Sequence, residues 1–168
     1  MNLSVILLGV ALAVSGSTHA SQPYVETVEK QIELLTYEEY QFVKTNTRRL
    51  WFVDYYDITH LQNPQGDSTL ILKFIPDKLT QNKVRRATIE ALEGSNPSVD
   101  LSTSKIQALI NSLSIEITQH DVITIVYKEQ AMQIQHNNRV VYAAEASSIE
   151  STALKNIWLG EEPVDDLL

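Results

Sequence analysis

The hydrophobic period of this chain changes three times, and the order of those changes restricts the fold more than any single motif. From Tyr40 to Ile75 the apolar and β-branched residues fall in strand-like runs. Between Thr80 and Leu113 the spacing becomes helical, from Val122 to Ala143 it returns to strands, and after Ser148 it is helical once more. Strands and helices gathered in blocks argue for an α+β domain, an antiparallel sheet with helices packed on one face. Nothing in the pattern requires a parallel sheet.

The elements can be placed more closely. Tyr40 to Thr45 alternates weakly, and Arg48 to Thr59 reads as one long aromatic-rich strand. Asn63-Pro64-Gln65-Gly66-Asp67 is a turn, and Thr69 to Ile75, bounded by Pro76, is a buried strand. Thr80 is placed to cap a helix with Val84, Ala87, Thr88 and Ala91 on its apolar face, which Gly94-Ser95-Asn96-Pro97 ends. Ser102 or Thr103 caps a second helix, whose Ile106, Leu109, Ile110 and Leu113 give the cleanest helical face in the chain. A loop from Thr118 to Asp121 precedes a strand from Val122 to Tyr127. Asn137-Asn138 then joins two strands, because asparagine tolerates the positive φ of a two-residue hairpin turn. Ser147 or Ser148 caps a last helix carrying Ile149, Ala153 and Ile157.

Residues 1–20 stand apart. Leu3 to Val14 is apolar but for Ser4 and Gly9, too short for the roughly 20 residues of a membrane span. Thr18-His19-Ala20 then offers the small-x-Ala form of a cleavage site, so a signal peptide cut after Ala20 and export to the periplasm are expected. The alternative is an uncleaved anchor; without cysteine no lipoprotein anchor is available. Residues 21–168 then form one domain, opening with a linker or first strand from Ser21 to Thr36, long enough to bury a core without disulfides. The net charge of −8 argues against generic nucleic-acid binding, which needs clustered Lys and Arg.

The last residues, ALKNIWLGEEPVDDLL from Ala153 to Leu168, carry the most specific pattern. An apolar helix reaches Trp158, Gly160 stops it, and Pro163-Val164 and a Leu-rich end follow. This order resembles the C-terminal signature of the bacterial exported chalcone-isomerase-like proteins. Asn46 to Tyr56, Leu72 to Asp77, Gln119 to Asp121 and Asn137 to Tyr142 fit the same family in looser form. The resemblance implies an open-faced sandwich with a ligand cleft between sheet and helices. It also implies two functional branches. Plant members cyclise chalcones to flavanones, and related non-catalytic members bind fatty acids.

By position Arg48 matches the family's ligand-facing arginine, with Arg49 as the neighbour one register away. A guanidinium offers a fixed fork of donors to a carboxylate or phenolate; an arginine here also fits a surface ion pair. Tyr56 falls near the family's substrate-orienting threonine, although a core tyrosine fits as well. On one continuous strand the two residues would stand roughly 26 Å apart, able to line one elongated cavity but not to meet one head group. The plant enzymes carry a catalytic tyrosine between their central helices, and the matching GSNPSVDL from Gly94 to Leu101 has none. Asn96 there fits a turn residue. Chalcone-to-flavanone isomerisation is therefore not expected.

Other chemistries lack their residues. His19, His60, His120 and His136 are scattered without metal spacing, there is no G-x-S-x-G elbow, and glycine is too sparse for a phosphate loop. The pairs Glu38-Glu39, Glu161-Glu162 and Asp165-Asp166 read as solvated faces, and Trp158 as an anchor between layers. No cofactor or metal is called for. The expectation is a periplasmic protein holding an apolar small molecule with an acidic head, a fatty acid or related lipid, through Arg48 and Tyr56. An intramolecular lyase or isomerase on another substrate, and an interaction module with a filled cleft, are the alternatives. Nothing in the residues speaks to oligomeric state.

Overall fold

The structure is a computed structural model that describes residues 32–50, 52–164 and 167–168. The expected signal peptide and the start of the domain at Ser21 lie outside the described residues. The strand expected from Arg48 to Thr59 is two strands. β1 (Gln41–Leu50) pairs antiparallel with β2 (Val53–Gln62), with Leu50 opposite Val53. Aromatic and β-branched residues run through the turn without glycine or proline, so the reversal left no local signal.

β2 continues through the Asn63–Asp67 turn into β3 (Ser68–Phe74). There Gly66 takes φ +92°, and the Asn63 side chain accepts from the Asp67 and Gln65 amides. The short β4 (Lys78–Leu79) leads into α1 (Gln81–Ser95), followed by α2 (Ser104–Leu113). β5 (Ile117–Thr118), within which the expected loop begins, pairs with β4. β6 (Val122–Lys128), β7 (Ala131–His136), β8 (Arg139–Glu145) and α3 (Ile149–Leu159) complete the chain. Asn137 and Asn138 both have positive φ, as the tight turn between β7 and β8 requires.

Among the described residues, six strands form one antiparallel sheet in the order β1-β2-β3-β6-β7-β8. One face meets the helices. Ile58, Leu70, Leu72, Ile125, Met132 and Ile134 on the sheet pack with Leu92, Ile106, Leu109, Ile110 and Leu154 on the helices. Thr80 caps α1 through the Lys83 amide, and Ser148 caps α3 through the Ser151 amide. Thr103 starts α2 without a side-chain cap. Two expected helix faces shift. Ala87 is exposed and Leu92 is the fully buried residue of α1, while in α3 Ala153 and Ile157 are buried as expected, Ile149 is half exposed and Leu154 and Trp158 are buried as well. One helix packs on both the sheet and a neighbouring helix, which moves the buried stripe away from the simplest apolar one.

The reverse face of the sheet is held differently. The expected linker or first strand joins no ladder in its described part. Instead the Gln133 amide accepts from Leu35 N–H (2.9 Å) and donates to Glu33 C=O (2.7 Å), and Gln135 donates to Leu35 C=O (2.9 Å). Both glutamines are buried, and these bonds satisfy polar groups that burial would otherwise penalise.

Asp121 ties β5 to the β6–β7 end of the sheet. Its carboxylate accepts from Thr118 N–H (2.7 Å), Thr118 Oγ1 (3.0 Å) and Asn137 Nδ2 (2.7 Å). Burial alone would raise its pKa, but these bonds and the nearby His136 outweigh it and hold it at about 2. A carboxyl depressed when folded stabilises at pH values above its unfolded value, near 4, and that stability is lost as pH falls towards 2. Asp121→Asn is expected to cost about 1.5–3 kcal/mol at neutral pH and to flatten the acid limb of the stability curve, as read by urea unfolding from pH 7 down to pH 3.

The glycine after Trp158 has a steric reason. A Cβ on Gly160 would stand 2.8 Å from both Cα and C=O of Asn156, and backbone at that distance cannot swing aside. Gly160 lets the chain leave α3 tightly, and Val164 N–H then returns to Ile157 C=O at 3.1 Å. Gly160→Ala is expected to destabilise the fold by about 1–3 kcal/mol in urea or thermal unfolding.

Candidate functional site

The hairpin changes the relation between the two expected site residues. Arg48 on β1 and Tyr56 on β2 are register partners. They stand roughly 5 Å apart between Cα atoms, not 26 Å along one strand. The next pair is Arg49 with Asp54, so Tyr55 is an extra residue on β2. A bulge of this kind re-aims a side chain. Tyr55 and Tyr56 both line the same cavity, which strict alternation would forbid.

That cavity has a volume of about 360 Å³ and lies between the sheet and helices α1 and α3. Leu72, Phe74, Ile123 and Ile125 line it from the sheet, and Leu154 and Ile157 from α3. Arg48, Tyr56 and Trp158 are among its polar lining residues. Trp158 Nε1 donates to the Tyr56 hydroxyl at 3.1 Å, and the Tyr56 ring meets Phe74 edge-on, with centroids 5.6 Å apart. Trp158 is thus the interlayer anchor expected of it, and it also lines the cavity. Thr88, another lining residue, is turned back onto the Val84 carbonyl. The resulting pocket is largely apolar with a few convergent polar groups, the usual composition of a small-molecule site.

Arg49 does not share this wall. Its guanidinium donates to both oxygens of the Asp54 carboxylate beside the turn, and the side-chain bond lowers the pKa of Asp54. Several lining residues were not singled out from sequence. Leu154 and Val164 sit in the tail whose pattern was noted, but nothing in their type marks them as ligand-facing. Lys83 and Arg86 on α1 also line the cavity, and their charge was the one available signal. Leu167 and Leu168 pack on the core, and the Leu167 carbonyl accepts from Asn46 of β1 at 3.3 Å.

The chalcone isomerase-like family model matches residues 45–168. The chain belongs to the chalcone isomerase-like family. No curated protein sequence matches it significantly. Among solved structures, the crystal structure of a fatty-acid binding protein from Arabidopsis thaliana is similar in fold. It shares 13% sequence identity, with a TM-score of 0.62, over 80% of this chain and 87% of that one.

Within the family fold, the connection that lacks a tyrosine has a structural job. Asn96 is buried and donates to Leu92 C=O (3.1 Å) and Ala153 C=O (3.0 Å), and its side-chain oxygen accepts from Asn156 (2.9 Å). These bonds lock the end of α1 to α3. Elsewhere, His60 pairs with Ser68 in the core, where burial and then Lys155 lower its pKa. His136 faces Asp121. Among the described residues no three of His, Cys, Asp and Glu are grouped to hold a metal, and no helix is long and apolar enough to cross a membrane. Tyr56→Phe leaves the Trp158 N–H without this acceptor. It is expected to cost about 1–3 kcal/mol and to shift the tryptophan emission, as read by fluorescence-monitored unfolding.

Proposed function

We propose that this chain holds a fatty acid or a related apolar small molecule with an acidic head, and does not close chalcone rings. The observation that carries the reading is the register pairing of Arg48 with Tyr56 at one wall of an otherwise apolar cavity. The guanidinium and the phenol supply donors on facing strands, so one carboxylate can be held by both. The aliphatic chain would lie against Leu72, Ile123, Ile125, Leu154 and Ile157. The fatty-acid binding activity named for the similar plant structure supports the ligand class. A cavity of about 360 Å³ lies at the small end of the range for ligand sites and counts against a cleft filled by its own side chains.

Residues 1–20 support the further reading that the protein is exported, with cleavage after Ala20 and a periplasmic place of action. N-terminal sequencing of the protein purified from an expressing bacterium checks it; a mature start at Ser21 is expected.

The ligand reading is tested by native mass spectrometry of gently purified protein and by calorimetric titration with a medium-chain fatty acid. Co-purifying lipid and saturable binding are expected. Losing a charge-assisted bond of about 1.5–3 kcal/mol, Arg48→Ala should bind about 10- to 100-fold more weakly, with Arg48→Lys between the two. Unchanged affinity in Arg48→Ala would sink the assignment.

A further inference from the structure

The rim of the cavity carries features that a ligand held inside does not need. Phe52, in the turn between β1 and β2, is 95% exposed, and Val53 beside it is 52% exposed. Within four residues of Phe52 along these strands stand Arg48, Tyr55 and Tyr56, all lining the cavity. The exposed lining residues are Lys83, Arg86, Ala87 and Glu90 of α1, so the mouth opens along that helix.

The charged residues lining the cavity are mostly basic, Arg48, Lys83 and Arg86 against Glu90. The protein carries a net −8, yet Lys83, Arg85 and Arg86 crowd the first half of α1. A helix N-terminus is already positive, and acids stabilise it; the first turn of α1 has none. Arg85 is engaged with Asn111 and Gln107, while Arg86 forms an exposed pair with Glu90, a pairing of small value. Helix stability therefore gives no reason for the cluster.

We propose that this rim docks on an anionic lipid surface, with Phe52 and Val53 among the headgroups and Lys83 and Arg86 facing the phosphates. Exposed aromatics beside basic residues suit the membrane–water interface. Two exposed side chains on a turn cannot supply the roughly 800 Å² per partner of a stable protein interface, whereas a lipid surface accepts a small apolar tip. Docked this way, the mouth meets the bilayer and a lipid can enter or leave without crossing bulk water. The docking gains that purpose only from the ligand reading above.

The test is co-sedimentation of the chain with vesicles of phosphatidylcholine alone and of phosphatidylcholine mixed with phosphatidylglycerol. A parallel titration uses a medium-chain fatty acid below its micelle concentration. Binding to the mixed vesicles is expected, weakening as salt is raised. Phe52→Ser should reduce it about tenfold while leaving fatty-acid affinity as in the wild type, since Phe52 does not line the cavity. Lys83→Glu with Arg86→Glu should abolish the preference for anionic vesicles. Wild-type protein that ignores vesicles, or Phe52→Ser protein that binds them equally well, overturns the proposal. Vesicle binding through Phe52 without uptake of fatty acid would instead overturn the ligand reading and leave the docking surface standing.

Discussion

The hydrogen bond from Trp158 to the Tyr56 hydroxyl joins the two layers of this protein beside its cavity. Tyr56 belongs to the second strand of the sheet and Trp158 to the last turn of α3. A buried indole N–H needs an acceptor, and a buried phenol needs partners. Each meets that need in the other layer. Both residues line the cavity, together with aliphatic side chains of the sheet and α3. An apolar cavity with a polar wall follows from this arrangement, and so does the nearness of Arg48, which is paired with Tyr56 across the hairpin.

Two further devices hold the cavity's boundaries. The close exit from α3 at Gly160 turns the tail back, so that Val164 becomes part of the wall. The β4–β5 pair, fastened by Asp121, fixes the point at which the chain enters α1. The tail motif thus acts as structure: its glycine permits a turn and its valine closes a wall. Asn96 plays a comparable part at the far end of α1, where a group that could have suggested chemistry is fully engaged in joining two helices.

Much of the fold could be read in advance because its signals are local. The caps at Thr80 and Ser148, the Asn137-Asn138 turn and the α2 face of Ile106, Leu109 and Ile110 each depend on a few neighbouring residues. The family pattern in the tail supplied the layer arrangement. The β1–β2 hairpin was missed because strand propensity continues through its turn, so one aromatic-rich segment hides a reversal. The buried faces of α1 and α3 were misjudged at Ala87, Leu92 and Ile149. Contact with several neighbours decides which stripe is covered, and a single helix cannot reveal those neighbours.

By itself the sequence determined most element types and the α+β class, because period and capping are properties of adjacent residues, and its resemblance to the family picked out Arg48 and Tyr56. The tertiary structure alone decided that Arg48 and Tyr56 face each other, that a bulge brings Tyr55 to the same wall and that Arg49 turns to Asp54 instead. Register between strands is set by a turn and a bulge acting over many residues. A shift of one residue would send each of these side chains to the other face of the sheet.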